Sequence, residues 1–403
     1  MIFAALDYIP VTFKDFFFHL SYPFFIKKKS IISRSDNLIR INGYSCRSIF
    51  STLLKLLKSQ RKNIKILTTP IHHTSFRDII EEYIKPENIY ILELNDEYNE
   101  IINIPKIDNK DIIVDACIVT HVFGQDLNCK LLKQYKIENP NCYIIEDRVQ
   151  GAEFEKIFSN NCFDISLYST GMDKRPCGLG GGIMFIKKNN KITKNTKINI
   201  LSYINSYRYE TTYGRVLFLL KKFPTFLLYN FKIIIKLLLY IFKFLKINIH
   251  SFSCKYRKYN PGFSHENYDI FPNNGTLYSI DKSLNDYKNI EILYKKKSQI
   301  FYSKLQPVIK KKLIPWLIDD KNYSLTPYNT IIIKNKAKLK FIDYLNSKNI
   351  AVIENPTYKT FNFSYVNSEK YKKFNNSLVY IPSLCIMDDR EIEYLAELLN
   401  SYN

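Results

Sequence analysis

The stretch Tyr168–Phe185 reads YSTGMDKRPCGLGGGIMF, with one lysine, Lys174, ahead of Gly178, Gly180, Gly181 and Gly182. A phosphate-binding loop places its glycines before the lysine, as G-x-x-x-x-G-K-[ST], so the order here excludes that motif. Two readings are left. One is a solvated lysine beside a turn. The other is a lysine held on a tight loop to form a Schiff base with an aldehyde. The flanking sequence decides between them.

Upstream, short apolar runs alternate with helical spacing. SIFSTLLKLLKS (48–59), SFRDIIEEYI (75–84) and CKLLKQYKI (129–137) have helical periodicity. NIKILTTP (63–70), NIYILEL (88–94), DIIVDACIVTHVFG (111–124), NCYIIED (141–147), DISLYST (164–170) and GGIMFIKK (181–188) contain strands. Continuous apolar strands between helices predict an α/β domain with a mostly parallel sheet covered on both faces. In such sheets, functional residues gather at the carboxyl ends of the strands. That rule selects 70–76, 121–125, 146–150 and 169–174. Further on, residues 286–305 read as a long surface helix. A smaller α/β unit follows, closing on the helix DDREIEYLAELLNS, whose leading aspartates suit a helix N-terminus.

Within IIEDRVQGAE, the strand ends in Asp147, and Gln150 follows three residues later. A carboxylate at a strand tip either caps a helix or pairs with a protonated ring nitrogen. Three segments, THVFGQ, IIEDRVQGAE and DISLYSTGMDKRPCGLGGGIMF, together resemble the DegT/StrS-type sugar aminotransferases, which are pyridoxal-phosphate enzymes of fold type I. The resemblance lies in order and register. It covers roughly residues 40–190 and 270–400.

The resemblance implies a three-layer large domain with a smaller C-terminal α/β domain, and it implies pyridoxal 5'-phosphate as cofactor. Lys174 would be the Schiff-base lysine and the general acid/base of amino transfer. Asp147 would pair with the ring nitrogen and Gln150 with the ring hydroxyl. Ser169 and His121 complete the family pattern. His73 is the expected stacking partner of the ring, with His72 and Phe76 as alternatives. The family's S-G-T phosphate site falls on Ser45, Cys46 and Arg47 here. Cys46 would crowd the backbone approach, and Arg47 would add a charge-assisted contact. The resemblance also implies an amino donor, glutamate in the family, a keto-sugar acceptor carried on a nucleotide, and a homodimer with Asn274 reaching the partner's phosphate site. A dehydratase variant of the family carries histidine in place of the lysine, which Lys174 argues against. The alternative of another class is a membrane-associated, non-catalytic scaffold on the same fold.

Bulk properties agree with a large intracellular enzyme. The chain has 403 residues, and its eight cysteines form no C-x-x-C pair that would suggest a zinc site or redox dithiol. A net charge of +21 favours anionic partners, but no nucleic-acid motif is present. The expected organisation is an N-terminal segment 1–40, a cofactor domain 41–190, an insertion 191–270, and a long helix with the small domain over 271–403. The aromatic N-terminus has no basic region before its apolar part, unlike a signal peptide. In the insertion, residues 225–248 predict a cationic amphipathic helix. Lys232, Lys236, Lys243 and Lys246 fall within an arc of roughly 80° at helical pitch. They interrupt any apolar run long enough to span a bilayer. The opposite face, with Phe226, Leu227, Ile234, Leu238 and Leu245, would suit a membrane interface. The expected location is cytoplasmic, with a peripheral contact on the inner membrane face.

Overall fold

The structure is a computed structural model. It describes residues 13–21, 32–34, 38–96, 98–107, 110–124, 126–151, 162–171, 174–175, 177–188, 202, 206–230, 234, 237, 240–241, 244–245, 268–314, 329–333, 335–350, 352–354, 358–361, 368–382, 384 and 387–402. Its largest element is an eight-stranded sheet: β1 (Ile32–Arg34), β2 (Leu38–Gly43), β3 (Ile66–Thr68), β4 (Ile89–Ile91), β5 (Ala116–Thr120), β6 (Tyr143–Asp147), β7 (Ile165–Ser169) and β8 (Gly182–Lys187). The order across the sheet is β1-β2-β8-β7-β6-β5-β3-β4. Strands β7, β6, β5, β3 and β4 run parallel, and β8, β2 and β1 add antiparallel pairs at one side.

Both faces of this sheet are covered. Ile118, Ile145 and Leu167 pack under helices α2 (Cys46–Gln60) and α3 (Thr74–Tyr83). Cys117, Val119 and Ile144 pack under α4 (Lys130–Glu138). This is why the strands read as unbroken apolar runs rather than alternating ones. Helix α2 starts where it does because Ser45 and Ser48 form a reciprocal capping box.

The insertion contributes α5 (Thr212–Asn230), which pairs with α1 (Phe13–Ser21). Phe16 stacks on Phe226 at 4.4 Å, and both are fully buried with Leu219 and Leu179. The chain continues through α6 (Asn274–Asn285) and α7 (Tyr287–Lys304), the expected long helix. A four-stranded sheet follows, with order β9 (Leu313–Ile314), β10 (Asn329–Ile332), β12 (Leu378–Ile381), β11 (Ile353–Glu354). It shares a core with α7, α8 (Asn335–Ser347) and α9 (Asp389–Ser401). Asp388 and Glu391 cap α9 reciprocally, as the acidic start of that segment suggests.

The insertion helix differs from its sequence reading. It begins at Thr212, not near residue 225, and runs through Pro224. Phe226, read as entering an acyl boundary, is buried against α1 because the N-terminal phenylalanines need an apolar partner. Beyond Asn230, positions 234, 237, 240, 241 and 244 are helical. Leu238 and the four lysines lie outside the described residues. No described helix is long and apolar enough to cross a membrane.

Candidate active site

The carboxyl ends of β5, β6 and β7 bring Thr120, Asp147 and Ser169 to one edge of the sheet. Thr120 pairs in register with Asp147. Side chains alternate along a strand, so Asp147 and Glu146 face opposite sides. Asp147 is 4% exposed. Its Oδ1 accepts from the Val149 amide at 3.0 Å, and its Oδ2 accepts from the Thr120 hydroxyl at 3.3 Å. Among the described residues it forms no ion pair. Burial pushes its carboxyl up to about 6, against the pull of the Val149 amide, Lys174 and Thr120. Gln150 is 3% exposed, and among the described residues neither its Oε1 nor its Nε2 has a hydrogen-bond partner. A buried primary amide with both ends unpaired is costly.

Lys174 sits in the loop from β7 to β8, buried, with its amide donating to Gly171 O at 3.1 Å. Its charge acts on both Asp147 and Cys46. Thr170 folds this loop back on itself. The Thr170 carbonyl accepts from the amides of Gly178 and Gly180, and its hydroxyl donates to Gly180 O at 2.7 Å. At Gly182 a Cβ would lie 2.2 Å from the Cys46 amide nitrogen. Only glycine lets the loop's end close against the start of α2, where Ser45 bridges to Gly181. The same contact brings the N-terminal amides of α2 toward the lysine loop. Cys46 is buried there, its thiol pushed up by that burial, while Arg47 is exposed.

From outside, the loop is gripped by Arg215 of α5. This fully buried guanidinium donates to Leu179 O at 3.1 Å, to Gly178 O at 3.4 Å and to Ser279 Oγ at 3.3 Å. Ser279 also meets His19 Nδ1 of α1 at 2.8 Å. Nothing in the sequence distinguishes Arg215 from the many surface cations, so its part in holding the loop was not legible there.

The remaining sequence candidates separate. Ser169 Oγ accepts from the Gly171 amide at 3.2 Å, at the foot of the lysine loop. His73 caps α3, its Nδ1 accepting from the Ser75 amide at 3.1 Å. Phe76 is stacked on Phe50 in the core at 4.4 Å. His72 is fully buried and hydrogen-bonded to three threonines. The His121 amide donates to the Asp147 carbonyl at 3.1 Å, but its imidazole is not brought to the Asp147 carboxylate. Its Nε2 meets Glu146 Oε2 at 3.3 Å and its Nδ1 accepts from the Leu127 amide, in a network that Arg148 extends to Asp126. Asn274 begins α6, whose cap is the neighbouring Asn273.

No protein-family model matches the chain, and no curated protein matches it in sequence. Solved structures do match. Spr1654 from Streptococcus pneumoniae, assigned as a sugar aminotransferase and solved in its PLP-form, superposes with a TM-score of 0.64 at 10% identity, covering 99% of this chain and 98% of that one. Helicobacter pylori PseC, an aminotransferase involved in the biosynthesis of pseudoaminic acid, gives 0.60 at 11% identity, covering 99% and 98%. DesI, solved in the presence of its TDP-sugar product, gives 0.53 at 10% identity, covering 90% and 79%. At these identities the likeness is one of architecture, and it spans nearly the whole chain: this protein has the fold of the fold type I aminotransferases.

Proposed function

We propose that the protein is a pyridoxal-phosphate-dependent aminotransferase acting on a keto-sugar. The observation that carries this reading is the pairing of Asp147 and Gln150. A buried carboxylate without an ion pair fits a protonated ring nitrogen, and a buried amide with both ends unpaired fits a ring hydroxyl. Lys174 lies close enough for its charge to act on Asp147. Sugar aminotransferases among the structural neighbours support the same chemistry.

When bound, pyridoxal phosphate supplies an electron sink and an aldehyde that carries the amino group from donor to acceptor. The chain's residues do the rest. Lys174 would be the residue that holds the cofactor, and its free amine would move the proton at the substrate carbon. Asp147 keeps the proton on the ring nitrogen. Gln150 hydrogen-bonds the ring hydroxyl. The N-terminus of α2, with Ser45 and Arg47, takes the phosphate. Glutamate is the proposed amino donor. A nucleotide-linked acceptor suits the net charge of +21 and the TDP-sugar product in the DesI structure. A homodimer would let Asn274 of one subunit complete the phosphate site of the other. Light scattering that finds an active monomer would remove that part.

The test is spectroscopic. Purified protein with added pyridoxal phosphate should gain a visible absorbance band, and borohydride should fix the cofactor to the peptide bearing Lys174. Lys174→Ala should lose both the trapped adduct and amino transfer. A protein that stays colourless would mark a non-catalytic relative, and an adduct on another lysine would overturn the assignment.

A further inference from the structure

We infer that His72 and Thr120 are positioning residues for Asp147: a one-way chain of hydrogen bonds, Thr68 to His72 to Thr120 to Asp147, aims this carboxylate and supports its anionic form against burial. The inference rests on the proposed cofactor site for its purpose, but the chain itself is a property of the protein alone.

The chain joins the carboxyl ends of three adjacent strands, with Thr120 level with Asp147 and Thr68 level with Ile118. Thr68 ends β3, Thr120 ends β5 and Asp147 ends β6. His72 follows the turn after β3 and is fully buried. Its Nε2 lies 2.6 Å from Thr68 Oγ1, 3.1 Å from Thr69 Oγ1 and 3.3 Å from Thr120 Oγ1, while its Nδ1 makes the closer approach to Thr120 Oγ1, at 2.7 Å. Phe361 closes over the ring edge-on at 5.6 Å.

The protons fix the direction. A hydroxyl has one hydrogen to give. Thr120 gives its hydrogen to Asp147 Oδ2, so toward His72 it can only accept. His72 must then carry its proton on Nδ1. Nε2 is left bare, and the nearer hydroxyl, Thr68, donates to it. Thr69 Oγ1 accepts from the Thr120 amide at 3.2 Å, which ties the same threonine from its backbone side. Every link donates toward the carboxylate, and such aligned bonds reinforce one another in a dry interior. Burial holds His72 neutral, far below its ordinary range, at about 3. The chain therefore supports the anion without adding a cation that would compete with a ring nitrogen for it. A protonated Asp147 would need to donate, which would reverse the chain. The Val149 amide fixes the other oxygen, so neither half of the carboxylate is free to turn.

Histidine-selective 15N NMR of the cofactor-free protein tests the chain without any cofactor. His72 should show a protonated Nδ1 and a bare Nε2. An Nε2–H tautomer overturns the inference. Thr120→Val keeps the shape and removes the hydroxyl, and should release the His72 tautomer. In cofactor-loaded protein, Thr120→Val should lower kcat by roughly tenfold to a hundredfold, the cost of a lost hydrogen bond to a charge, with KM unchanged. Thr120→Ser should restore both. A Thr120→Val protein with unaltered tautomer and kcat also overturns the inference. If Thr120→Val does not fold, the wild-type tautomer still decides. A protein with the Nδ1–H tautomer that binds no pyridoxal phosphate would sink the proposed function and leave the chain standing.

Discussion

At the scale of single residues, burial strengthens the grip of Asp147 on a proton, and the Val149 amide, Lys174 and Thr120 offset it only in part. The Asp147 carboxyl is raised from 3.8 to about 6 by burial. A raised acid contributes stability below its unfolded value, and that contribution is lost as pH climbs through the folded one. The amide of an Asp147→Asn variant cannot ionise, so the cofactor-free variant should match the parent near pH 4. At pH 8 it should exceed the parent by about 3 kcal/mol, the equivalent of that shift. Denaturant midpoints across this range check it, and a gap that does not widen with pH contradicts it. The same substitution should lower turnover of the loaded enzyme by on the order of a thousandfold. The placement of Asp147 and Ser169 at strand ends, and of Lys174 in the loop that follows, was legible in the sequence because the apolar runs mark where the strands stop. Thr120 was not, because a threonine gains its role only through strand register. His121, one residue along, shows the same limit in reverse. Strand alternation turns it toward Glu146, away from the Asp147 face.

Among elements, the lysine loop depends on a helix that belongs to the insertion. Leu179 has a positive φ of 55°, a conformation that a branched side chain enters at a cost. Arg215 accepts that geometry by donating to the carbonyls on either side of the turn. Arg215→Met would leave these buried carbonyls unpaired. Stability should fall by about 2–4 kcal/mol, read as a lower denaturant midpoint with unchanged slope. A loss within error of zero would show that α5 merely lies against the loop. The strands of the large sheet were legible because they are buried on both faces and read as apolar runs. Helix α1 was not. Its run of phenylalanines fits a strand or a helix equally well, and only its partner on α5 selects between them. The start of α5 was misplaced for a related reason. Pro224 suggests a boundary, yet packing on α1 carries the helix through it.

For the whole molecule, the insertion raises the matter of what covers its far end. Leu237, Tyr240, Ile241 and Phe244 recur at helical spacing and are 58%, 70%, 37% and 78% exposed. By sequence spacing at helical pitch, Lys232, Lys236, Lys243 and Lys246 fall on a neighbouring arc, centred roughly 130° from the stripe. An apolar stripe with a cationic flank, in a chain of net charge +21, fits the surface of an anionic bilayer, and we propose that this helix docks there. The proposal keeps Leu245, exposed at 56%, in the apolar contact and excludes Phe226, which α1 already covers. Each lysine near such a surface contributes about 1 kcal/mol, screened by salt, while the apolar stripe adds a part that salt does not remove. Flotation should therefore be strong with anionic vesicles at low salt, weaker at high salt and weakest with zwitterionic vesicles. Changing the four lysines to glutamate should remove the salt-sensitive part. Leu237→Ser with Phe244→Ser should remove the part that persists at high salt. Equal flotation of all three proteins, or none by the parent at low salt, would overturn docking. A parent that stays in solution and dimerises in light scattering only while Leu237 and Phe244 are intact would instead assign the stripe to a second copy of the chain.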